Sequence, residues 1–402
     1  MLFEQRRSLR RGTSLFMTAA AKGIVSMEFQ YCLPVNLLFG RGKMDRIGKQ
    51  TALFGRKALL VTGRHSTKKT GLLDKVREAL ENAGVESVLF DQVDQNPLTT
   101  TAYAGAKLAR TSGCDVVVGV GGGSVMDAAK AIAFAALNAG DISDYIFGKK
   151  ASDKALPIVL APTTCGTGSE GNGFAVLSNP ETHDKKSLRC NAIVAKASII
   201  DPEWMTTMPQ HILASVGFDA LCHNMEAYIS RIGQPMTRLL AAEGMRLAGK
   251  YLLRAYMDVS DTEAWDAIAW ASTIGGMVIH TAGVTAPHGM EHPASGLRDI
   301  VHGKGLAALT PVVFEESIAG APEKFADISR FLGGSDESDC VSRIRGLLDG
   351  LHLSTTLGEQ GIGKDDVGWM TENCLKVSAA GIANHPVVFD APAIRRIYLK
   401  AI

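Results

Sequence analysis

A chain of 402 residues, 46% hydrophobic and 21% charged, has enough apolar surface to bury a core and lies far from the disordered class. It exceeds the roughly 250–300 residues at which a single core stops growing, so two folded domains are expected. Its 42 basic residues against 41 acidic ones leave a net charge of +1, and no basic stripe crosses the body of the chain, which argues against nucleic acid or an anionic membrane as a partner.

The first 26 residues differ in composition from the rest of the chain. Five positive charges and one negative give them a net +4. This Arg- and Ser-rich, acid-poor stretch has the composition of an organelle presequence, of sequence upstream of a start at Met27, or of a flexible tail. It lacks an apolar run long enough for a secretory signal or a membrane span. Set apart as an extension, residues 1–26 leave 27–203 and 204–402 as the expected domains. The seven cysteines are odd in number and scattered, with no Cys-x-x-Cys pair. They suggest a reducing compartment and unpaired, mostly buried thiols. A cytoplasmic location is expected, or an organelle if the extension is a presequence.

From Met27 to about Asp201 strands and helices alternate. Residues 57–63 (KALLVTG) form a short aliphatic run ending in glycine, a buried-strand signal. Residues 68–84 form the next element, an amphipathic helix closed by Gly84. Residues 85–93 read as a strand, 99–113 as a helix, 114–124 as a third strand and 125–140 as an alanine-rich helix. Such alternation implies right-handed βαβ units and a parallel sheet. After about Asp201 the strand signals vanish, and residues 212–230, 235–257 and 263–282 read as helices with a period near 3.6. The expected class is α/β plus all-α.

Two polar loops interrupt this pattern. The run GVGGGSVMDAAK (119–130) sits at a strand-to-helix junction, where glycines admit a phosphate and helix-start N–H groups bind its charge. Ser124 adds a hydroxyl. Taken alone it is a near miss to the dinucleotide fingerprint, and a plain structural turn explains it too. A second loop, APTTCGTGSEGNGF (161–174), comes after the apolar run PIVL and is crowded with hydroxyls and glycines, as a ribose and pyrophosphate cradle would be.

Four residues carry the metal chemistry. Asp219 and His223 lie four apart in GFDALCHNMEAYIS, one helical turn, and so share a face at roughly 6 Å along the axis. His288 and His302 lie in APHGMEHPASGLRDIVHGKGLA, a segment expected to break at Pro293 and Gly296. One carboxylate and three imidazoles suit iron(II) or zinc, with room for a substrate oxygen. On spacing alone, two unrelated helix-surface pairs remain the competing reading. Cys222 adjoins His223 but points about 100° away on a helix, and is expected in the core.

The blocks GGGSVMDAAK, PTTCGTGSE, GFDALCHNMEAYIS and HGMEHPASGLRDIVHG together resemble the iron-containing (group III) alcohol dehydrogenases from about Met27 onward. The resemblance implies an N-terminal parallel-sheet nucleotide-binding domain and a C-terminal helical metal-binding domain, with the active site in the cleft between them. It implies Asp219, His223, His288 and His302 as ligands of Fe(2+) or Zn(2+), with Gly122, Gly123 and Ser124 at the pyrophosphate. Thr163, Thr164 and Thr167 would face the cofactor, Lys185 the nicotinamide ribose and Asn96 the adenosine half. His292 would stand near the nicotinamide as a catalytic residue without binding metal. The implied activity is hydride transfer between NAD(P) and a small primary alcohol or aldehyde, by a homo-oligomer, a dimer. A hydroxyacid-oxoacid transhydrogenase and a dehydroquinate synthase-like lyase are the alternatives. His223 favours the alcohol dehydrogenase branch over glycerol dehydrogenases, and the few basic residues near the ligands disfavour the lyase.

One departure bears on the cofactor. Many family members end the first strand with an aspartate that meets the adenosine ribose, and here that position is Gly63. With Ser66, Arg64, Lys68 and Lys69 nearby to meet a 2′-phosphate, NADP(H) is expected to be favoured over NAD(H).

Overall fold

The computed structural model describes residues 28–402, so the N-terminal extension lies outside the described residues. Six strands pair into one parallel sheet: β1 Asn36–Phe39, β2 Lys57–Gly63, β3 Glu86–Val93, β4 Val116–Gly121, β5 Ile158–Pro162 and β8 Ala197–Ile200, in the order β1-β8-β5-β4-β2-β3. Parallel strands need crossovers that cover both faces, which is why the inner strands read as unbroken aliphatic runs. Alternate residues divide between the two faces. Leu59, Val61, Val117 and Leu160 pack with Ala106, Ala128 and Ile132 from the helices Thr99–Thr111 and Gly123–Leu137. Leu60, Val116, Val118 and Val159 pack on the other side with Leu72, Val76 and Leu80 of the helix Leu72–Asn82.

The strand at 57–63 has the bounds expected of it. The helix expected over 68–84 is split into Ser66–Lys69 and Leu72–Asn82, because Gly71 takes φ +78°, a left-handed turn that glycine tolerates and that interrupts the helical path. The third expected strand is shorter, since the helix starts at Gly123 within the glycine run. Three features had no clear sequence signal: the four-residue strands β1 and β8, and an antiparallel hairpin of β6 Phe174–Ser178 and β7 Lys185–Arg189.

Beyond Pro202 every regular element among the described residues is helical. The helices Gln210–Ile229, Pro235–Met257 and Thr262–Ala282 share one core, with Phe218, Leu221, Met245, Leu252, Trp265 and Ile274 buried in it. Both halves belong to one compact unit, Leu33–Ile402. No single helix among the described residues is long and apolar enough to cross a membrane.

The break expected at Pro293 and Gly296 does not occur. The helix runs unbroken from Ala286 to Arg298 and stops at Asp299, which takes φ +49°. Proline removes the donor that would reach the Gly289 carbonyl, and the Cys374 thiol donates to that carbonyl instead, at 3.4 Å. Gly296 allows the helix to lie against the β6–β7 turn, where a Cβ would stand 2.2 Å from the His183 carbonyl oxygen. Cys222 is in the core as expected, its sulfur 3.5 Å from the Thr310 hydroxyl.

Candidate active site

Asp219 and His223 project from the middle of Gln210–Ile229, His288 from the first turn of Ala286–Arg298, and His302 opens the helix His302–Glu315. Their side chains meet at one carboxylate oxygen. Asp219 Oδ1 lies 3.2 Å from His288 Nε2, 3.5 Å from His223 Nδ1 and 3.7 Å from His302 Nε2. Ligand atoms at about 2.0–2.2 Å from a tetrahedral cation stand roughly 3.4 Å apart, so these separations fit one. Asp219, His288 and His302 form a group whose ligand atoms are all within 4.8 Å of one another. His223 stands slightly aside, stacked on His288 with ring centroids 4.4 Å apart. Its Nδ1 is buried without a hydrogen-bond partner, and with the ring proton on Nε2 it carries an orphaned lone pair that a bound cation would satisfy.

Two carboxylates that spacing had not singled out stand behind the imidazoles. Glu226 Oε1 lies 2.5 Å from His288 Nδ1, while its Oε2 accepts from the Thr285 N–H at 2.6 Å and the Thr285 hydroxyl at 3.1 Å. Glu291 lies against His302 Nδ1, accepts from the Ser295 hydroxyl and is 3.7 Å from Lys185 Nζ. Each comes one helical turn after a histidine, in His223-Asn-Met-Glu226 and His288-Gly-Met-Glu291. That repeated spacing was a readable signal.

These charges set the protonation of the site. Burial opposes ionisation of Asp219, yet the imidazoles, His223 foremost, outweigh it and hold the carboxyl well below its usual range. Burial pushes His223 down to about 4. Burial also disfavours the His288 cation, but Glu226 and Asp219 overcome it and hold its proton up to about 10. Burial and then Lys185 push His292 well down, so its imidazole is neutral.

The facing wall comes from the α/β half. Gly123, Ser124 and Thr167 line the same cleft as Asp219, His288, His292 and His302. The two polar loops press together: a Cβ on Gly123 would stand 2.2 Å from Thr167 Cγ2, and one on Gly122 would stand 3.2 Å from the Thr164 side chain. Thr163 follows directly on β5, its N–H donating to the Gly121 carbonyl at 2.9 Å. Lys130, buried beneath the loops, donates to Ser169 O at 2.6 Å, Ser169 Oγ at 2.8 Å, Phe174 O at 2.8 Å and Asn172 Oδ1 at 3.1 Å.

The hairpin supplies the rest of the cleft. Lys185, Ser187 and Arg189, two apart on β7, face inward with Phe174 and Val176 of β6. Lys185 Nζ donates to Asn96 Oδ1 at 2.9 Å, and Asn96 Nδ2 donates to Asp299 Oδ1 at 2.7 Å. Asn96 and Lys185, which the resemblance sends to opposite halves of the cofactor, are thus side by side. Gly63 ends β2, and Ser66 is exposed on the short helix after it. Two of the nearby cations are already engaged. Arg64 makes a two-pronged pair with Asp94 at 2.8 and 2.9 Å, and Lys68 pairs with Asp91.

Comparisons with known proteins identify the family. The family model "Iron-containing alcohol dehydrogenase" matches residues 34–202, and "Fe-containing alcohol dehydrogenase family, C-terminal" matches 213–402. A choline dehydrogenase of Bacillus subtilis (strain 168) is 35% identical over 356 residues, 86% of this chain and 88% of the relative. A 1,3-propanediol dehydrogenase of Citrobacter freundii is 35% identical over 360 residues, 87% of this chain and 92% of its own. The archaeal halo-thermophilic Red Sea brine pool alcohol dehydrogenase ADH/D1 has a TM-score of 0.90 at 34% identity, covering 94% of this chain and 100% of that structure. The chain belongs to the iron-containing alcohol dehydrogenase family. It is an alcohol dehydrogenase of the iron-containing kind, an oxidoreductase.

Proposed function

We propose that the protein moves hydride between NADP(H) or NAD(H) and a small primary alcohol or aldehyde, at one divalent cation held by Asp219, His223, His288 and His302. The observation that carries the reading is the convergence of three imidazoles on Asp219 Oδ1 in a cleft shared with Gly123, Ser124 and Thr167. The donor set of three nitrogens and one oxygen fits iron(II) or zinc. When bound, the cation supplies a Lewis acid for the substrate oxygen and the nicotinamide supplies the hydride chemistry.

The chain's own residues do the rest. Glu226 and Glu291 fix the ring orientations of His288 and His302. The free N–H groups of the helix start at Gly123 and Ser124 bind the cofactor's phosphates, helped by Thr164 and Thr167. Lys185, held by Asn96 and pulled toward Glu291, presents its ammonium to the nicotinamide ribose. His292 is neutral and lines the cleft, so a ring nitrogen is open to the alcohol's proton, and because burial disfavours its cation it would relay that proton onward and not keep it. Choline and 1,3-propanediol, named for the two relatives, are both small alcohols, in keeping with this substrate size.

The test is a loaded enzyme assayed with short aldehydes and NADPH or NADH, beside His223→Ala and His302→Ala. Cofactor consumed one for one with aldehyde supports a dehydrogenase, and turnover needing an oxo acid but no free cofactor would point to a transhydrogenase. Both mutants should lose bound metal and activity while keeping the wild-type circular dichroism spectrum. A full metal complement in both would overturn the ligand assignment.

A further inference from the structure

Among the described residues, two cations on the hairpin have no partner of opposite charge. Arg189 is cross-strand from Phe174, and its guanidinium lies over that ring at 4.4 Å. Among the described residues it forms no ion pair and no side-chain hydrogen bond, although it lines the cleft with His223, His288 and His292. Lys186, three residues earlier on the strand, donates to the Val377 carbonyl and lies 5.7 Å from the Phe147 ring centroid. The acid nearest it along the chain, Asp184, is already paired with Lys376 at 2.7 Å.

These cations face a second cavity that opens from the first. Ser187, Arg189, Val284 and His292 line both, so they form the neck between them. The outer cavity carries Lys186 and Arg189 and no Asp or Glu, and the phosphate-binding glycines Gly122 and Gly123 do not reach it. Arg189 shares the first cleft with Gly123 and Ser124, but in the outer cavity both cations stand clear of that loop. On the same strand face, Lys185 is neutralised by its neighbours, whereas Arg189, two pleats further on, is left free. A guanidinium braced on an aromatic ring is a preorganised two-pronged donor for a carboxylate or sulfonate.

We propose that Arg189, with Lys186 behind it, anchors an anionic group at the far end of the substrate, so the preferred substrates are short aldehydes or alcohols bearing a carboxylate or sulfonate. The proposal rests on the dehydrogenase reading and narrows its substrate class. Uncharged substrates of the same length gain no contact at Arg189, and choline, a cation, meets like charge there.

The test compares kcat/KM of the metal-loaded enzyme for 4-oxobutanoate, its methyl ester and butanal, with choline oxidation as the opposite-charge control. We expect 4-oxobutanoate to exceed its ester at least tenfold, mostly through KM, and choline to be the poorest alcohol. In Arg189→Gln the ratio should fall to within about twofold of unity, and Arg189→Lys should restore part of it. Should Arg189→Gln not fold, competitive inhibition of the wild type by succinate but not by butyramide reads the same contact. Equal efficiencies for acid and ester, a preference that survives Arg189→Gln, or efficient choline oxidation would overturn the anion site and leave the dehydrogenase reading standing. No cofactor consumption with any aldehyde would overturn that reading and this proposal together.

Discussion

Glu226 on one helix holds His288 on another: the carboxylate oxygen and Nδ1 are 2.5 Å apart, both buried. Glu291 lies against Nδ1 of His302 in a similar place, as a charge contact in place of an aligned hydrogen bond. An imidazole that gives its outer N–H to a carboxylate keeps its other nitrogen aimed at the cation and is a stronger donor to it. Glu226→Gln and Glu291→Gln should each lower metal affinity about 10–100-fold, the usual cost of losing such a partner. Competition against a chelator measures it, and a cobalt(II)-loaded protein should show a shifted visible spectrum. Wild-type affinity in both variants would reduce the two carboxylates to packing.

The residues themselves explain how much of this was legible in the sequence. The four candidate ligands stood out because histidine is scarce, with 10 in the chain, and because Asp219 and His223 are one helical turn apart. The parallel sheet stood out because buried strands are written in Val, Leu and Ile. The hairpin did not, because KKSLR puts cations where a strand usually alternates apolar residues, and its inward face lines a cleft in place of a core. The Asn96–Lys185–Asp299 chain was beyond reach, since its members are 89 and 203 residues apart along the sequence. Glu226 and Glu291 were within reach, had the His-x-x-Glu spacing been read twice.

The metal-free site should release a proton on loading. His288 is held up to about 10 from an ordinary 6.5, so near pH 8 it must shed one proton to bind a cation, while His223, pushed down to about 4, sheds none. Calorimetry in buffers of different ionisation enthalpy counts that proton, and zero release would contradict the His288–Glu226 pairing. The same shifts act on metal-free stability. A raised histidine stabilises the fold below about 6.5, and this is lost as pH rises from 6.5 through 10. A depressed one stabilises above 6.5, lost as pH falls through about 4. The site's contribution should peak between these windows, and Glu226→Gln should flatten the alkaline side of a melting-temperature profile.

Lys130 joins the glycine-run helix to the second polar loop by four hydrogen bonds. Asp127, one turn earlier, accepts from the Ser169 hydroxyl at 2.6 Å and the Val176 N–H at 3.0 Å. Burial pushes Lys130 down to about 8, with Asp127 and Glu170 opposing, and burial pushes Asp127 up, with Lys130 opposing. Lys130→Met should cost about 3–5 kcal/mol, the penalty of stranding a buried charge and its acceptors. Urea unfolding measures the loss. Cofactor binding should weaken as well, because Thr167 and Ser169 lie on the loop that Lys130 secures.

The cofactor preference turns on Gly63. Its strand-end position lacks the carboxylate that would repel a 2′-phosphate, although Arg64 and Lys68 are paired with Asp94 and Asp91. Those pairs are exposed and solvent-screened, so a phosphate dianion can draw the cations away at little cost. NADPH should therefore exceed NADH by about tenfold in kcat/KM, one good charged contact at about 1.4 kcal/mol. An aspartate fits without strain, since a Cβ at Gly63 would lie 3.6 Å from the Val93 carbonyl oxygen and 3.8 Å from Val125 Cγ2. Gly63→Asp should reverse the preference and leave bound metal unchanged, because the carboxylate would repel the phosphate and accept from the unmodified ribose. Steady-state kinetics with both cofactors decides it, and an NADH preference in the unmutated protein would show that Asp91 and Asp94 keep their cations.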